Sequence, residues 1–426
     1  MSKHLIIYES KSLGSHILAL GSQKKMKKVF IVSAKRTPIG KFMGSLSTIK
    51  PGQLGAIVIK SILEETGMDG SKIDSVIAGN VLSAGQGQGV ARQCAIGAGI
   101  PAEVPAYAIN MVCGSGMKAV MNGVAEIRSG AASVIIAGGV ENMSDAGYVL
   151  PSSVRNGIKM GNFNAVDHMV NDGLTDVFNN YHMGITAENV AEKFGISREA
   201  QDAFAYSSQQ KAIAAVDGDK FKNEIVPVEI VTRKETIVFD KDEYPNRAST
   251  PEKLANLRPA FKKDGTVTAG NASGINDGAS FVMLADEEAV AKYRLKPLAE
   301  IVAVGEGGVA PEVMGLGPVP AIRKALQRAE MKLSDMEIVE LNEAFAAQSL
   351  GVVESLMDEH GVSREWIDEH TNIHGGAIAL GHPIGASGNR ILVSLVHELQ
   401  MYDKTYGLAS LCIGGGMGTA VILKKL

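Results

Sequence analysis

The stretch Ala106–Gly139, AYAINMVCGSGMKAVMNGVAEIRSGAASVIIAGG, decides the fold. Ala106 to Met111 reads as a strand entering a sharp turn at Cys113-Gly114-Ser115-Gly116. A helix follows from Met117 to Arg128, then a strand at Ser133 to Ala137 closed by Gly138-Gly139. Strand, helix and strand in that order are the parts of a parallel βαβ unit, because parallel neighbours need a long crossover and a helix supplies it. The pattern returns near the other end. Gly385-Ala386-Ser387-Gly388 opens a helix over Asn389 to Leu399, and Leu408 to Ile413 runs into Gly414-Gly415-Gly416.

Outward from these stretches the alternation continues. Val29 to Val32 reads as a strand, Leu54 to Leu63 as a helix, Ser75 to Val81 as a strand and Gly89 to Gly99 as a helix. Leu298 to Val304, Val319 to Ala329, Ile338 to Leu341 and Phe345 to Met357 repeat that order. The chain therefore reads as a duplicated α/β half, whose corresponding turns can meet at a pseudo-twofold axis. Between the halves the composition shifts toward Asn, Asp, Lys and Met. There Ile196 to Val216 reads as a helix capped by Ser197, and Asp240 to Thr250 as an exposed loop. So long an insertion is expected to act as a lid or substrate-binding elaboration.

Composition narrows the function. The 426 residues are 45% hydrophobic and 21% charged, more than one ordinary core requires. Lys plus Arg number 42 against 46 acids, a net charge of −4, which argues against a nucleic-acid binder. No apolar run is long enough to span a membrane. Three scattered cysteines argue for a reducing, cytoplasmic setting. Residues 1–25 read as an extension outside the fold, disordered or non-native, and Lys424-Lys425-Leu426 lacks the small first residue of a peroxisomal address. Gly85 to Val90 fails the dinucleotide-binding spacing and no Walker A pattern occurs, so no nucleotide cofactor is expected.

Cys113 and Cys412 each occupy a glycine-rich turn, and His382 lies in a third. One thiol can carry an acyl group while another moves a proton, which suits carbon–carbon bond chemistry beside a thioester. Cys113 just before a helix is expected to favour thiolate. Taken singly, each residue has a plainer reading. Cys94 is read as a small buried hydrophobe, His374 as structural, and Asn342 could cap the helix after it.

Six blocks change that weighing. Asn110 to Gly116, His182-Met183-Gly184, Gly270 to Gly278, Asn342-Glu343-Ala344-Phe345, Gly381 to Gly388 and Cys412 to Gly416 resemble, in order, those of the thiolases, most closely the short-chain acetyl-CoA acetyltransferases. The resemblance runs from about Lys28 to the chain end. It implies two βαβαβαββ halves in a layered α-β-α-β-α core with an inserted loop domain. The bounds are then 26–145 and 281–426 for the halves, with 146–280 holding a tetramerisation loop and a coenzyme A lid. It implies reversible condensation of two acetyl-CoA to acetoacetyl-CoA and CoA, with no cofactor and no metal. Cys113 would be the acyl carrier, His382 its proton acceptor and Cys412 the acid/base at the α-carbon. Asn342 would hold a water, and the Cys113 and Gly414 N–H groups would form an oxyanion hole.

The resemblance also places His182, Met183 and Met314 around a short acyl chain, with Ala344 and Phe345 nearby. Leu174, Phe261, Ala269, Gly270 and Ser273 would follow the pantetheine arm. The family's CoA-facing arginine falls at Asn246, leaving Arg247 beside it, and Lys253 stands where a small hydroxyl residue is common. A homotetramer is expected, with Pro151 to Met160 as the tetramerisation loop. A longer-chain 3-ketoacyl-CoA thiolase is the alternative; that branch tends to have proline where His182 stands. A ketoacyl synthase would use one Cys with two His, or with His and Asn, and a dead scaffold would lose the chemistry.

Overall fold

The computed structural model describes residues 26–426, so the reading of residues 1–25 lies outside it. In the first half, strand β1 (Val29–Arg36) is followed by α1 (Pro51–Thr66), β2 (Ser75–Gly79), α2 (Val90–Gly97), β3 (Ala106–Ile109), α3 (Ser115–Ser129), β4 (Val134–Asn142) and, after the insertion, β5 (Asn276–Asp286). The insertion carries α4 (Met183–Phe194) and α5 (Arg198–Asp217). The second half runs β6 (Ala299–Gly308), α6 (Pro318–Ala329), β7 (Ile338–Leu341), α7 (Ala346–His360), α8 (Ile384–Met401), β8 (Tyr406–Ile413) and β9 (Met417–Lys425).

The two halves share one strand order. In the first it is β1-β5-β4-β2-β3; in the second it is β6-β9-β8-β7, and a parallel bridge from Val339 to Thr371 stands where β3 would be. The βαβ strands pair in parallel, β2 with β3 and β4, and β7 with β8. In each half the last strand, β5 or β9, returns antiparallel. A short antiparallel contact of Phe30 and Ile31 on β1 with Glu300 and Ala299 on β6 joins the halves. The periodicity reading placed neither β5 nor β9, the final strand that the resemblance implied for each half, and the boundary at 280/281 cuts β5. That strand belongs whole to the first sheet, between β1 and β4.

Strands β4 and β5 are buried along their entire length, as strands covered on both faces must be. Leu54, Ile59, Cys94 and Ala95 of α1 and α2 cover one face of the first sheet, and Ile322, Leu326, Val353 and Leu356 of α6 and α7 cover the second. Met117, Val120, Val124 and Ile127 of α3 pack with Ile391, Leu392, Leu395 and Leu399 of α8 in the middle layer. The result is the five-layer α-β-α-β-α stack.

The middle helices meet at their N-terminal turns because glycines leave room. A Cβ on Gly116 would stand 2.9 Å from the Gly385 carbonyl oxygen, and one on Gly139 only 1.9 Å from it. The two glycine-rich turns that looked alike in sequence therefore touch through backbone.

Ser197 does cap α5, accepting from the Ala200 N–H at 3.2 Å. The 240–250 loop differs from its reading as simply exposed. Asp242 is buried and accepts two hydrogen bonds from the Arg36 guanidinium at 2.8 and 2.9 Å, while Glu224 takes the Arg36 Nε–H at 2.6 Å. Arg36 is itself fully buried, so the charge that pins this loop lies in the core. Residues 151–160 extend beyond a two-residue hairpin of Tyr148–Val149 with Val166–Asp167, and Ile158 and Met160 are exposed there.

Candidate active site

Cys113 is presented by a tight turn ahead of α3. Val112 is held at φ 47°; the Ser115 hydroxyl accepts from the Met111 N–H at 2.8 Å and donates to the Val112 carbonyl at 2.6 Å. Val112, Cys113, His382 and Gly414 line one cavity of about 380 Å³. Burial pushes the Cys113 thiol up to about 11, outweighing the Gly414 N–H that hydrogen-bonds it, and Glu141 adds in the same direction. The expectation of a resting thiolate is thereby corrected. The N–H groups of Gly114 and Ser115 are already taken by the Met111 and Val112 carbonyls, which leaves the Cys113 sulfur its own N–H and that of Gly414.

Cys412 is next to last in β8, 1% exposed and packed with Met183, Met314, Ala344 and Phe345. Its thiol is raised by burial first and then by Cys113, a neighbour close enough to repel a second negative charge.

His382 shows which nitrogen can work. Nδ1 lies 2.5 Å from the Ser387 hydroxyl, and that hydroxyl donates its single hydrogen to the Pro383 carbonyl at 2.9 Å. Ser387 must therefore accept from Nδ1–H, and the neutral ring is left with its Nε2 lone pair free. Nε2 has no hydrogen-bond partner. Burial, helped by Arg390, holds the imidazole down to about 4, so it is neutral at physiological pH. The Asn276 Oδ1 accepts from the His382 N–H at 2.9 Å and anchors the turn.

Asn342 leaves β7 with its amide buried and both polar atoms unpartnered. It caps no helix; α7 starts at Ala346 after Phe345, without a side-chain cap. Two free amide atoms at a buried site are what a bound water requires.

The other residues singled out in the sequence fall in three groups. Leu174, His182, Met183 and Phe261 share the cavity wall with Ala269, Ser273, Met314, Ala344 and Phe345. His182 also caps α4, its Nδ1 accepting from the Gly184 N–H at 3.0 Å, and stacks on Phe261 with ring centroids 4.5 Å apart. Gly270 lies in an adjoining cavity of about 660 Å³, which shares Ala269 and Tyr244 with the first and includes Asn246 and Lys253. Arg247 lines neither; it is bonded to Asp217 at 2.6 and 2.9 Å. Missed in the sequence were Tyr244, Ser387, Asn276 and Glu141. Asn276 and Ser387 lay inside the Gly270 to Gly278 and Gly381 to Gly388 blocks, and Glu141 left a signal as a charge ending an apolar run just past Gly138-Gly139.

The chain matches the model of the thiolase N-terminal domain over residues 29–288 and that of the thiolase C-terminal domain over residues 295–425. It belongs to the thiolase family. The break between the two domain models falls after β5, in agreement with the place of that strand in the first sheet. This thiolase is 53% identical over 401 residues to the acetyl-CoA acetyltransferase of Pseudomonas aeruginosa, covering 94% of this chain and 100% of the relative. Its structure resembles the Bacillus anthracis acetyl-CoA acetyltransferase, with a TM-score of 0.90 and 42% identity over 94% of this chain and 99% of that one. It also resembles human mitochondrial 3-ketoacyl-CoA thiolase, with a TM-score of 0.89 and 44% identity over the same shares.

Proposed function

We propose that this thiolase is an acetyl-CoA C-acetyltransferase, joining two acetyl-CoA to acetoacetyl-CoA and free CoA and running the reverse cleavage. The observation that carries this reading is the convergence of the Cys113 thiol with the free Nε2 of His382 on one small cavity, with Cys412 packed beside it.

The steps follow from the ionisation states. Cys113 starts as a thiol and His382 as a neutral base, so Nε2 takes the thiol proton as sulfur attacks the thioester carbonyl. The C–S bond to CoA breaks, the imidazolium returns the proton to the CoA sulfur, and Cys113 keeps the acetyl group. The Gly414 N–H, engaged by the thiol at rest, is then released toward the acyl oxygen, where a preorganised donor contributes about 3–4 kcal/mol. His382, neutral again, takes the Cys412 proton, and the thiolate so formed removes an α-proton from a second acetyl-CoA, whose enolate oxygen is met by the imidazolium and an Asn342-held water. The carbanion attacks the acyl carbon, the new C–C bond forms, the Cys113–acyl bond breaks, and the imidazolium returns its proton to the Cys113 sulfur. Coenzyme A enters only as a substrate.

Met183, Met314 and the His182–Phe261 stack limit the acyl end, supporting a short chain. The likeness to a 3-ketoacyl-CoA thiolase favours a second reading, with longer acyl groups accepted. Thiolysis of four-carbon against ten-carbon 3-ketoacyl-CoA decides between them. The account predicts a kcat/KM preference for four carbons of at least about tenfold, the discrimination a packed pocket supplies; equal rates would favour the second reading.

The exposed 151–160 loop, flanked by exposed Tyr148, Leu150 and Phe163, supports a homotetramer. Three free cysteines suit a cytoplasmic setting. Within the described residues no helix is long and apolar enough to cross a membrane. The Tyr244, Asn246 and Lys253 cavity is the route we assign to the nucleotide end of CoA.

A further inference from the structure

Glu141 takes no part in the steps above, yet its carboxylate is fully buried on β4 beside the site. Its two oxygens meet four donors. Oε1 accepts from the Asn80 amide at 2.9 Å and the Leu82 N–H at 3.0 Å; Oε2 accepts from the Val81 N–H and the Gly385 N–H, both at 3.0 Å. A carboxylate offers about four lone-pair directions, so every one is filled. The four donors favour the ionised form, against burial and Asp277, which together draw the carboxyl up to about 7.

The fourth donor gives the cluster its meaning. Gly385 lies in the first turn of α8, three residues after His382 and two before Ser387, whose hydroxyl fixes the imidazole. Its carbonyl oxygen is wedged against Gly116 and Gly139 of the first half. Gly385 is thus fixed through both its N–H and its carbonyl, and only the N–H meets a charged acceptor. Loosening it lets the start of α8 shift, and with it the line from Ser387 to Nδ1 that aims Nε2.

The geometry points to Glu141 as a positioning residue: its carboxylate, anchored in the first half, holds the His382 turn of the second half in register with Cys113. This rests on the reading of His382 as the base for Cys113.

The test is Glu141→Gln, which keeps size but turns an NH₂ group toward two of the donors whichever way the amide lies. The expected result is a kcat for acetoacetyl-CoA thiolysis lowered at least about tenfold with KM within about twofold, since general-base alignment contributes about 10²–10⁴-fold. Alkylation of Cys113 by iodoacetamide at about pH 6, where the free thiolate is scarcest, should slow in parallel, against the speeding that loss of the Glu141 charge alone would give. That readout needs no acyl-CoA, so it still judges Glu141 if the wild type proves inactive on this substrate and the proposed function falls. Ser387→Ala should also lower kcat, and the double variant should fall no further than about twofold below the worse single one, because both act through His382. Multiplying losses, or wild-type kcat and alkylation in a folded Glu141→Gln, would overturn the proposal. If Glu141→Gln does not fold, Asn80→Ala removes one of the four donors and should lower kcat about threefold at unchanged KM; an unchanged kcat would overturn it as well.

Discussion

At the residue scale, the resting site is uncharged: Cys113 is held up to about 11 and His382 down to about 4, both chiefly by burial. The thiolate fraction of a group with so high a value grows with pH throughout the neutral range. Cys113 alkylation should therefore keep rising from about pH 6 to about pH 9, by up to about tenfold per unit. A plateau below about pH 7 would reveal a thiolate–imidazolium pair instead. The identities of these residues were legible because each sits in its own glycine-rich block. Their ionisation was not, since it depends on packing from four separated segments and on whether the N–H groups before α3 are already spent. Asn342 shows the same limit: a cap and an unpartnered amide look alike in a sequence, and only the start of α7 after Phe345 tells them apart.

At the element scale, the crossing of α3 and α8 depends on backbone contact. Gly139→Ala would set a methyl 1.9 Å from the Gly385 carbonyl oxygen, so the helices must part. A loss of about 1–3 kcal/mol or more is expected, as for overpacked cores, read as a lower thermal midpoint and lower activity. Gly130→Ala is the control. Gly130 ends α3 at φ 83° with nothing within 4 Å of a Cβ, so it should cost only about 1 kcal/mol of backbone strain and leave activity intact. Equal effects would contradict the close crossing. The helices and parallel strands were readable from periodicity. Strands β5 and β9 were hidden because each opens among glycines and polar residues, where period and turn signals compete.

At the scale of the whole molecule, duplication was legible as repeated order, while the end of the insertion was not, because β5 returns to a sheet begun more than 200 residues earlier. The exposed apolar residues of the 148–166 arm lead us to expect a tetramer in solution, and excision of residues 151–160 should leave a smaller assembly on gel filtration. A monomer of the intact chain would contradict that expectation. Duplication also accounts for two thiols remote in sequence meeting from opposite halves, Cys113 lining the cavity ahead of α3 and Cys412, next to last in β8, packed behind its wall. The central claim is that these thiols have unlike tasks, and it is tested by mapping the acyl group after brief exposure to labelled acetyl-CoA. The account predicts label on Cys113 in the wild type and in Cys412→Ala, which acylates but does not condense, and no label in Cys113→Ala. Label on Cys412 in the wild type would contradict it.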